Sequence, residues 1–369
     1  MIISYYIITI IFIVLFFSFS YMIIPQKNFS EHENRALQSL PDLNIDALID
    51  GTYSRKLHNY FSDQINLRTL MIELKAKCEL LMGKSENSGV LLAKDGYLIE
   101  THSYTDENYN FLSKNLYKIE KMMQNLTEDH IETYSLIIPR KIDILQEYLP
   151  IYYSDERNTK AWRIVGNNHL NLKNTLKTQQ NEHHQIFYKT DHHWTAEGAY
   201  YAYVEIGDVL GFVPYPLDHF KLTTLSNCFY GTTYSKSGFF FLPCDQIKAP
   251  QIENGKYTVT IADTETVLDS LYDFSYINRK DKYSVFLSGN NAHVQIYDTK
   301  NSHKETLLLI KDSFSHSLSP YLCEHYNLEL IDPRYYNGSI EDYIKKNGIN
   351  KVLFLFGMDT LASANINIR

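Results

Sequence analysis

Cysteine is scarce, tryptophan scarcer, and positive charge is in the minority. The four cysteines, Cys78, Cys228, Cys244 and Cys323, include no CxxC pair, which excludes a cysteine-based metal site of the usual spacing. No HExxH occurs either, so the metal helix of a zinc peptidase is missing. Acidic residues outnumber basic ones, 43 to 35, for a net charge of −8. That balance argues against nucleic acid and against an anionic membrane surface as partners. Free thiols are expected at most cysteine positions. Cys228 and Cys244 are near enough in sequence to pair across a loop, but spacing alone does not set their distance.

What is present describes a folded chain. Apolar residues make up 44% and charged residues 21% of 369 positions, enough for one large domain with an insertion or for two domains. Tyrosine is abundant, at 30 residues; its rings suit stacking on sugars, and suit sheets and cores equally well. From Ile2 to Ile24 no residue is charged, and an apolar helix of that length crosses the ~30 Å of a bilayer core. No Lys or Arg precedes this run and no small-residue cleavage site follows, unlike a secretory signal. The expected organisation is a transmembrane anchor over residues 1–25, a membrane-proximal helical segment over 26–89, and an α/β domain over 90–369. In the helical segment Asp63 and Arg68 are candidates for a structural ion pair.

Within the α/β part, Val90–Ile99 reads as a hairpin turning at Asp95-Gly96, and Asp106–Asn125 as a helix. Thr133–Pro139 reads as a buried strand. Lys141, just after it, is a candidate for touching a substrate, with a solvated loop lysine as the expected reading. A helix over Ala161–Leu176 and a short strand over Ile186–Tyr188 follow. Residues 212–281 form an expected β-rich insertion without an obvious acid–base group. Ser284–Leu287, Leu307–Ile310, Leu328–Ile331 and Val352–Phe356 read as further strands. Strands alternating with helices predict a doubly wound parallel sheet.

The chemistry gathers at Tyr188-Lys189-Thr190-Asp191-His192-His193-Trp194-Thr195. Ala199, Ala202, Tyr203, Ile206, Val209 and Leu210 continue it as an apolar helical stripe. Thr195 is a natural N-cap, Glu197 suits the first turn, and Gly211 supplies the stop. Asp191 and His193, two apart in an extended loop, point the same way. A carboxylate on one ring nitrogen leaves the other as a base. A hydroxyl to pair with it stands 120 positions later, in Lys311-Asp312-Ser313-Phe314-Ser315-His316-Ser317-Leu318, after the Leu307–Ile310 strand. The carboxyl edge of a parallel sheet is where α/β proteins hold reactive groups. Ser313 is therefore the candidate nucleophile. Trp194 packs at the loop base or walls the pocket. Gly289 and Asn290 are candidate oxyanion donors, with a plain turn as the competing reading. Arg334 is a candidate for an acyl oxygen or sugar carboxylate, or for a salt bridge. A metal on His183, His184, Asp191, His192 and His193 is the rival chemistry, but adjacent histidines diverge in extended backbone; no metal and no cofactor are expected.

These two stretches resemble the paired signatures of the bacterial DHHW family. Gly231-Thr232-Thr233-Tyr234-Ser235-Lys236 and Ile331-Asp332-Pro333-Arg334-Tyr335-Tyr336 also look like family blocks. That family is similar to the alginate O-acetylation proteins of the SGNH-hydrolase-like group. The resemblance implies a circularly permuted SGNH-like sheet in which Asp191, His193 and Ser313 form a triad. Lys311 departs from it, standing where ordinary esterases carry glycine. The implied function is a cell-surface O-acyltransferase or esterase acting on acetyl groups of an extracytoplasmic glycan. As a transferase it would need a partner, a membrane-bound acyl-transfer protein, since acetyl-CoA is cytoplasmic. The second reading is a non-catalytic glycan-binding or envelope-assembly protein that keeps the fold.

Overall fold

A computed structural model describes residues 9–14, 27–151, 153, 158–182, 184–253, 255–301 and 303–368. Most of the expected anchor, Ile2 to Ile24, lies outside the described residues, as does His183. Among the described residues no helix is long and apolar enough to cross a membrane.

The chain forms two compact units. The smaller comprises Met1–Ser88 with Tyr234–Leu242 and is built on helices Ile45–Ile49, Thr52–Asp63 and Arg68–Leu81. Glu33 lies between two guanidiniums, 2.8 Å from Arg68 and 2.9 Å from Arg35, and Arg35 reaches Asp63 at 2.6 Å. Asp63 and Arg68 themselves are 4.0 Å apart, so the expected pair is one edge of a four-residue network.

The larger unit holds an eight-stranded sheet. Its order is Thr266–Leu268, Tyr257–Ile261, His293–Asp298, Asn327–Ile331, Thr306–Lys311, Lys351–Gly357, Glu132–Ile138, Leu170–Asn171. The last five run parallel, and the first three join antiparallel. The sheet is thus mixed, which corrects the wholly parallel expectation: Tyr257–Ile261 and Thr266–Leu268, assigned above to an insertion, extend the main sheet. The period-two alternation of the central strands builds a core on each face. Leu307, Leu309, Leu353 and Leu355 face one core, and Leu308, Ile310, Val352 and Phe354 the other. Helix Asp106–Glu128 covers the second core through Leu112, Leu116, Ile119, Met122 and Leu126; helices Ala196–Leu210 and Ser315–Leu322 cover the first.

Three local expectations change. Ser284–Val285 belongs to a short 3-10 turn over Lys282–Val285, and the strand comes later, at His293–Asp298. Left-handed φ angles at Leu287, Ser288 and Gly289 turn the chain out of line with the sheet. The single helix expected over Ala161–Leu176 is two, Asn158–Val165 and Lys173–Asn181, with the edge strand Leu170–Asn171 between them. Cys228 and Cys244 form a disulfide with their Cα atoms 5.1 Å apart, so free thiols remain only at Cys78 and Cys323. The antiparallel pairing of Leu222–Phe229 with Asp245–Pro250 brings the two cysteines together.

Candidate active site

Ile186–Thr195 forms a closed turn rather than a strand. Phe187 bridges Trp194, Tyr188 N–H donates to the His193 carbonyl at 3.2 Å, and Thr195 N–H donates to the Ile186 carbonyl at 2.8 Å. Thr195 caps helix Ala196–Leu210 through the Gly198 amide, and Gly211 ends it with φ 82°. At the tip of the turn, Asp191 Oδ1 accepts from His193 twice, from the main-chain N–H at 3.0 Å and from Nδ1 at 2.6 Å. Burial disfavours the Asp191 charge, but His192, His193 and these hydrogen bonds outweigh it and hold its pKa well below the usual carboxylate range. An ionised carboxylate only accepts. Nδ1 therefore carries a proton, and in the neutral ring Nε2 is the nitrogen with the lone pair.

That lone pair faces Ser313. Its Oγ lies 2.7 Å from His193 Nε2, across 120 positions of sequence. Ser313 sits where the Thr306–Lys311 strand ends and helix Ser315–Leu322 begins. Asp312 shapes this turn, accepting from Phe314 N–H at 3.0 Å and from Gly357 N–H on the neighbouring strand at 2.7 Å. Ser313 stays partly exposed while the residues around it are buried. The His193 ring stacks on Tyr283 with centroids 4.0 Å apart and planes 13° from parallel. A serine, an imidazole and a carboxylate in this order can pass a proton from hydroxyl to ring as the oxygen attacks an electrophile.

Several supports of the turn were not identified from sequence. The second oxygen of Asp191 accepts from Thr232 N–H at 2.8 Å and Thr232 Oγ1 at 3.0 Å. A Cβ on Gly231 would lie 2.2 Å from Asp191 Cβ, so only glycine lets the chains approach this closely. Asp245 accepts from Lys189 N–H at 2.9 Å, Thr190 N–H at 2.7 Å and the Thr190 hydroxyl at 2.6 Å. The region read as lacking acid–base groups thus supplies Thr232 and Asp245. The block Gly231–Lys236 was the only sequence signal for any of this. Lys141 corrects the expectation of a solvated lysine: it is buried, and its amine contacts four carbonyl oxygens.

The other expected residues have different settings. Trp194 is fully buried at the loop base, its indole N–H directed at Ser317 Oγ and the Phe314 carbonyl. Arg334 forks onto Asp332 at 2.9 and 2.7 Å and remains partly exposed. Gly289 holds φ 81° and Asn290 is exposed; no hydrogen bond among the described residues joins either to Ser313. Lys311, in the position of the esterase glycine, is buried with its amine 3.0 Å from His316 Nε2 and 3.7 Å from Asp332. His184 lies against Glu197 instead of the turn. Asp191, His192 and His193 offer ligand atoms within 4.8 Å of one another. Binding an ion through Asp191 Oδ1 or either His193 nitrogen breaks the contacts just described. His192 Nδ1 is itself 2.9 Å from Thr232 Oγ1. A cleft opens beside the serine turn, lined by Ile138, Arg140, His192, Phe314, Met358 and Asp359 among others.

The fold and site define an α/β protein with a hydrogen-bonded Asp–His–Ser chain at the carboxyl edge of its sheet. The protein belongs to the DHHW family, whose profile matches residues 83–331. The probable alginate O-acetylase AlgJ of Pseudomonas fluorescens is 24% identical over 174 residues, a match spanning 42% of this chain and 42% of that relative's length. A DHHW family protein of Eubacterium siraeum superposes with a TM-score of 0.61 at 22% identity, over 76% of this chain and 94% of its own. Bacillus cereus PatB1, solved with a sulfonyl adduct, gives 0.59 at 21% identity over 75% and 98%. These two likenesses establish the shared mixed α/β fold.

Proposed function

We propose that this protein is an SGNH-like O-acyltransferase or esterase acting on acetyl groups of an extracytoplasmic polysaccharide, held at the cell surface by residues 1–25. The observation that carries the reading is the hydrogen-bonded chain from Ser313 Oγ through His193 to Asp191, at 2.7 and 2.6 Å. The name of its P. fluorescens relative, an alginate O-acetylase, supports acetyl groups and a glycan as the substrate class.

In this mechanism Ser313 Oγ bonds to the acetyl carbonyl carbon as its proton passes to His193 Nε2. Asp191 stabilises the resulting imidazolium and holds the ring upright. The Ser313 amide, which donates to no described group, lies beside the helix N-terminus and is available to the developing oxyanion. His193 then returns the proton to the departing alkoxide as the ester C–O bond breaks. A sugar hydroxyl or water, deprotonated by His193, attacks the acetyl-enzyme and frees Ser313. Because acetyl-CoA is cytoplasmic, an extracytoplasmic transferase of this kind requires a membrane partner to deliver acetyl groups.

The test is release of a chromophore from an acetyl ester by the full chain in detergent. Ser313→Ala and His193→Ala are expected to lower kcat by about a thousandfold or more with unchanged melting. Activity retained in both variants removes the triad, and no release by the wild type leaves the non-catalytic glycan-binding role. Activity abolished by a chelator and restored by zinc replaces the serine mechanism with a metal one.

A further inference from the structure

Lys141 lies three positions beyond the Glu132–Ile138 strand, at the carboxyl edge that also carries Ser313. Its Nζ is within hydrogen-bonding distance of the carbonyl oxygens of Tyr188 (2.5 Å), Leu98 (2.8 Å), Asp191 (3.0 Å) and Lys189 (3.1 Å). Three of these oxygens belong to the turn that presents Asp191 and His193. Among the described residues no carboxylate pairs with the amine, although an ion pair is the usual companion of a buried lysine. Its charge is met instead by main-chain oxygens. A neutral amine has two N–H groups and a lone pair that would face those oxygens; an ammonium has three donors and no lone pair. Carbonyl oxygens around one positive charge replace a hydration shell, as they do for a bare monovalent cation.

The opposite side of the same turn carries a negative charge. With the carbonyls of residues 188, 189 and 191 drawn toward Lys141, the amides of residues 189 and 190 are received by Asp245. The peptide dipoles of the turn therefore lie between a cation and an anion. Burial lowers the Lys141 pKa to about 7, while Asp245, Asp191 and Glu100 act in the other direction.

We propose that Lys141 is a positioning residue whose ammonium serves as a built-in monovalent cation, clamping the turn so that His193 meets Ser313. This rests on the reading of Asp191, His193 and Ser313 as the triad.

The experiment uses the full chain and an acetyl ester. Lys141→Met keeps the stem and removes the charge; kcat is expected to fall about 10- to 100-fold with KM within twofold, the scale of a small misplacement of reacting groups. Lys141→Ala opens the cage, and about 0.1 M ammonium or methylammonium is expected to raise its kcat at least fivefold. Methanol and tetramethylammonium, one uncharged and the other without an N–H, are expected to do nothing. Hydrogen exchange at the amides of residues 188–193 is expected to accelerate in Lys141→Met, and likewise in Asp245→Asn, which removes the opposite charge. Wild-type kcat in Lys141→Met, or equal recovery of Lys141→Ala with methanol, overturns the proposal. If either alanine or methionine variant fails to fold, unchanged exchange and kcat in Asp245→Asn overturn it. A wild type whose ester hydrolysis does not depend on Ser313 removes the triad reading, whereas the exchange comparison still decides whether Lys141 clamps the turn.

Discussion

The indole N–H of Trp194 lies 3.1 Å from the carbonyl of Phe314, so the residue after His193 is hydrogen-bonded to the residue after Ser313. The same nitrogen is 2.9 Å from Ser317 Oγ in the helix that follows. The two halves of the site are thus joined one step back from His193 and Ser313, inside the core.

Replacing Trp194 by Phe keeps most of the apolar volume and removes the donor. It is expected to cost about 1–3 kcal/mol, because buried acceptors lose their partner. A tenfold or so drop in kcat is expected as the serine turn drifts from the ring. Urea unfolding and ester hydrolysis on the same preparation check both; unchanged values in each would mean the indole contact positions nothing.

Asp191→Asn preserves shape and removes the charge. The expected fall in kcat is about 10³- to 10⁴-fold, since the amide no longer favours the ring tautomer with a free Nε2. A pH effect accompanies it. The folded pKa of Asp191 lies well below its usual value, so its contribution to stability is present above the ordinary carboxylate pKa of about 4 and is lost as pH falls through the folded value. Urea midpoints between pH 6 and pH 2 should therefore fall less steeply for Asp191→Asn than for the wild type.

Gly231→Ala tests the close approach behind Asp191. Its new methyl would sit 2.2 Å from Asp191 Cβ, and one of the two segments must retreat. A loss of about 1–3 kcal/mol is expected for such overpacking, together with weakened ester hydrolysis. Calorimetric melting at wild-type values would show that the backbones separate freely.

The Cys228–Cys244 bridge precedes Asp245 by one residue. Its reduction, or the double serine variant, is expected to lower stability by about 2–4 kcal/mol. Activity should fall with it, because Asp245 holds the Lys189 and Thr190 amides. Melting and turnover with and without dithiothreitol measure this; a fully active reduced enzyme would separate the bridge from the turn.

Much of the parallel half of the sheet was legible because apolar alternation and short buried runs are local signals. Leu307–Ile310, Leu328–Ile331 and Val352–Phe356 fall within strands of the structure. His293–Asp298 was missed because His293, Gln295 and Asp298 interrupt its apolar pattern; Glu329 accepts hydrogen bonds from His293 and Gln295 across the sheet. Lys141 was misread for a related reason. A lysine after a strand looks solvated until the carbonyls that enclose it are known, and carbonyls leave no trace in side-chain pattern.

By itself the sequence determined what lies within reach of a few bonds: the helix capped by Thr195, the Asp95-Gly96 turn, and the pairing of Asp191 with His193 two residues on. Tertiary structure alone decided which hydroxyl meets that imidazole, which glycine stands behind the carboxylate, and which charges flank the turn. Ser313, Gly231, Asp245 and Lys141 reach it across 40 to 120 residues of chain. Contacts over such distances are set by strand order and packing, and residue spacing carries no record of them.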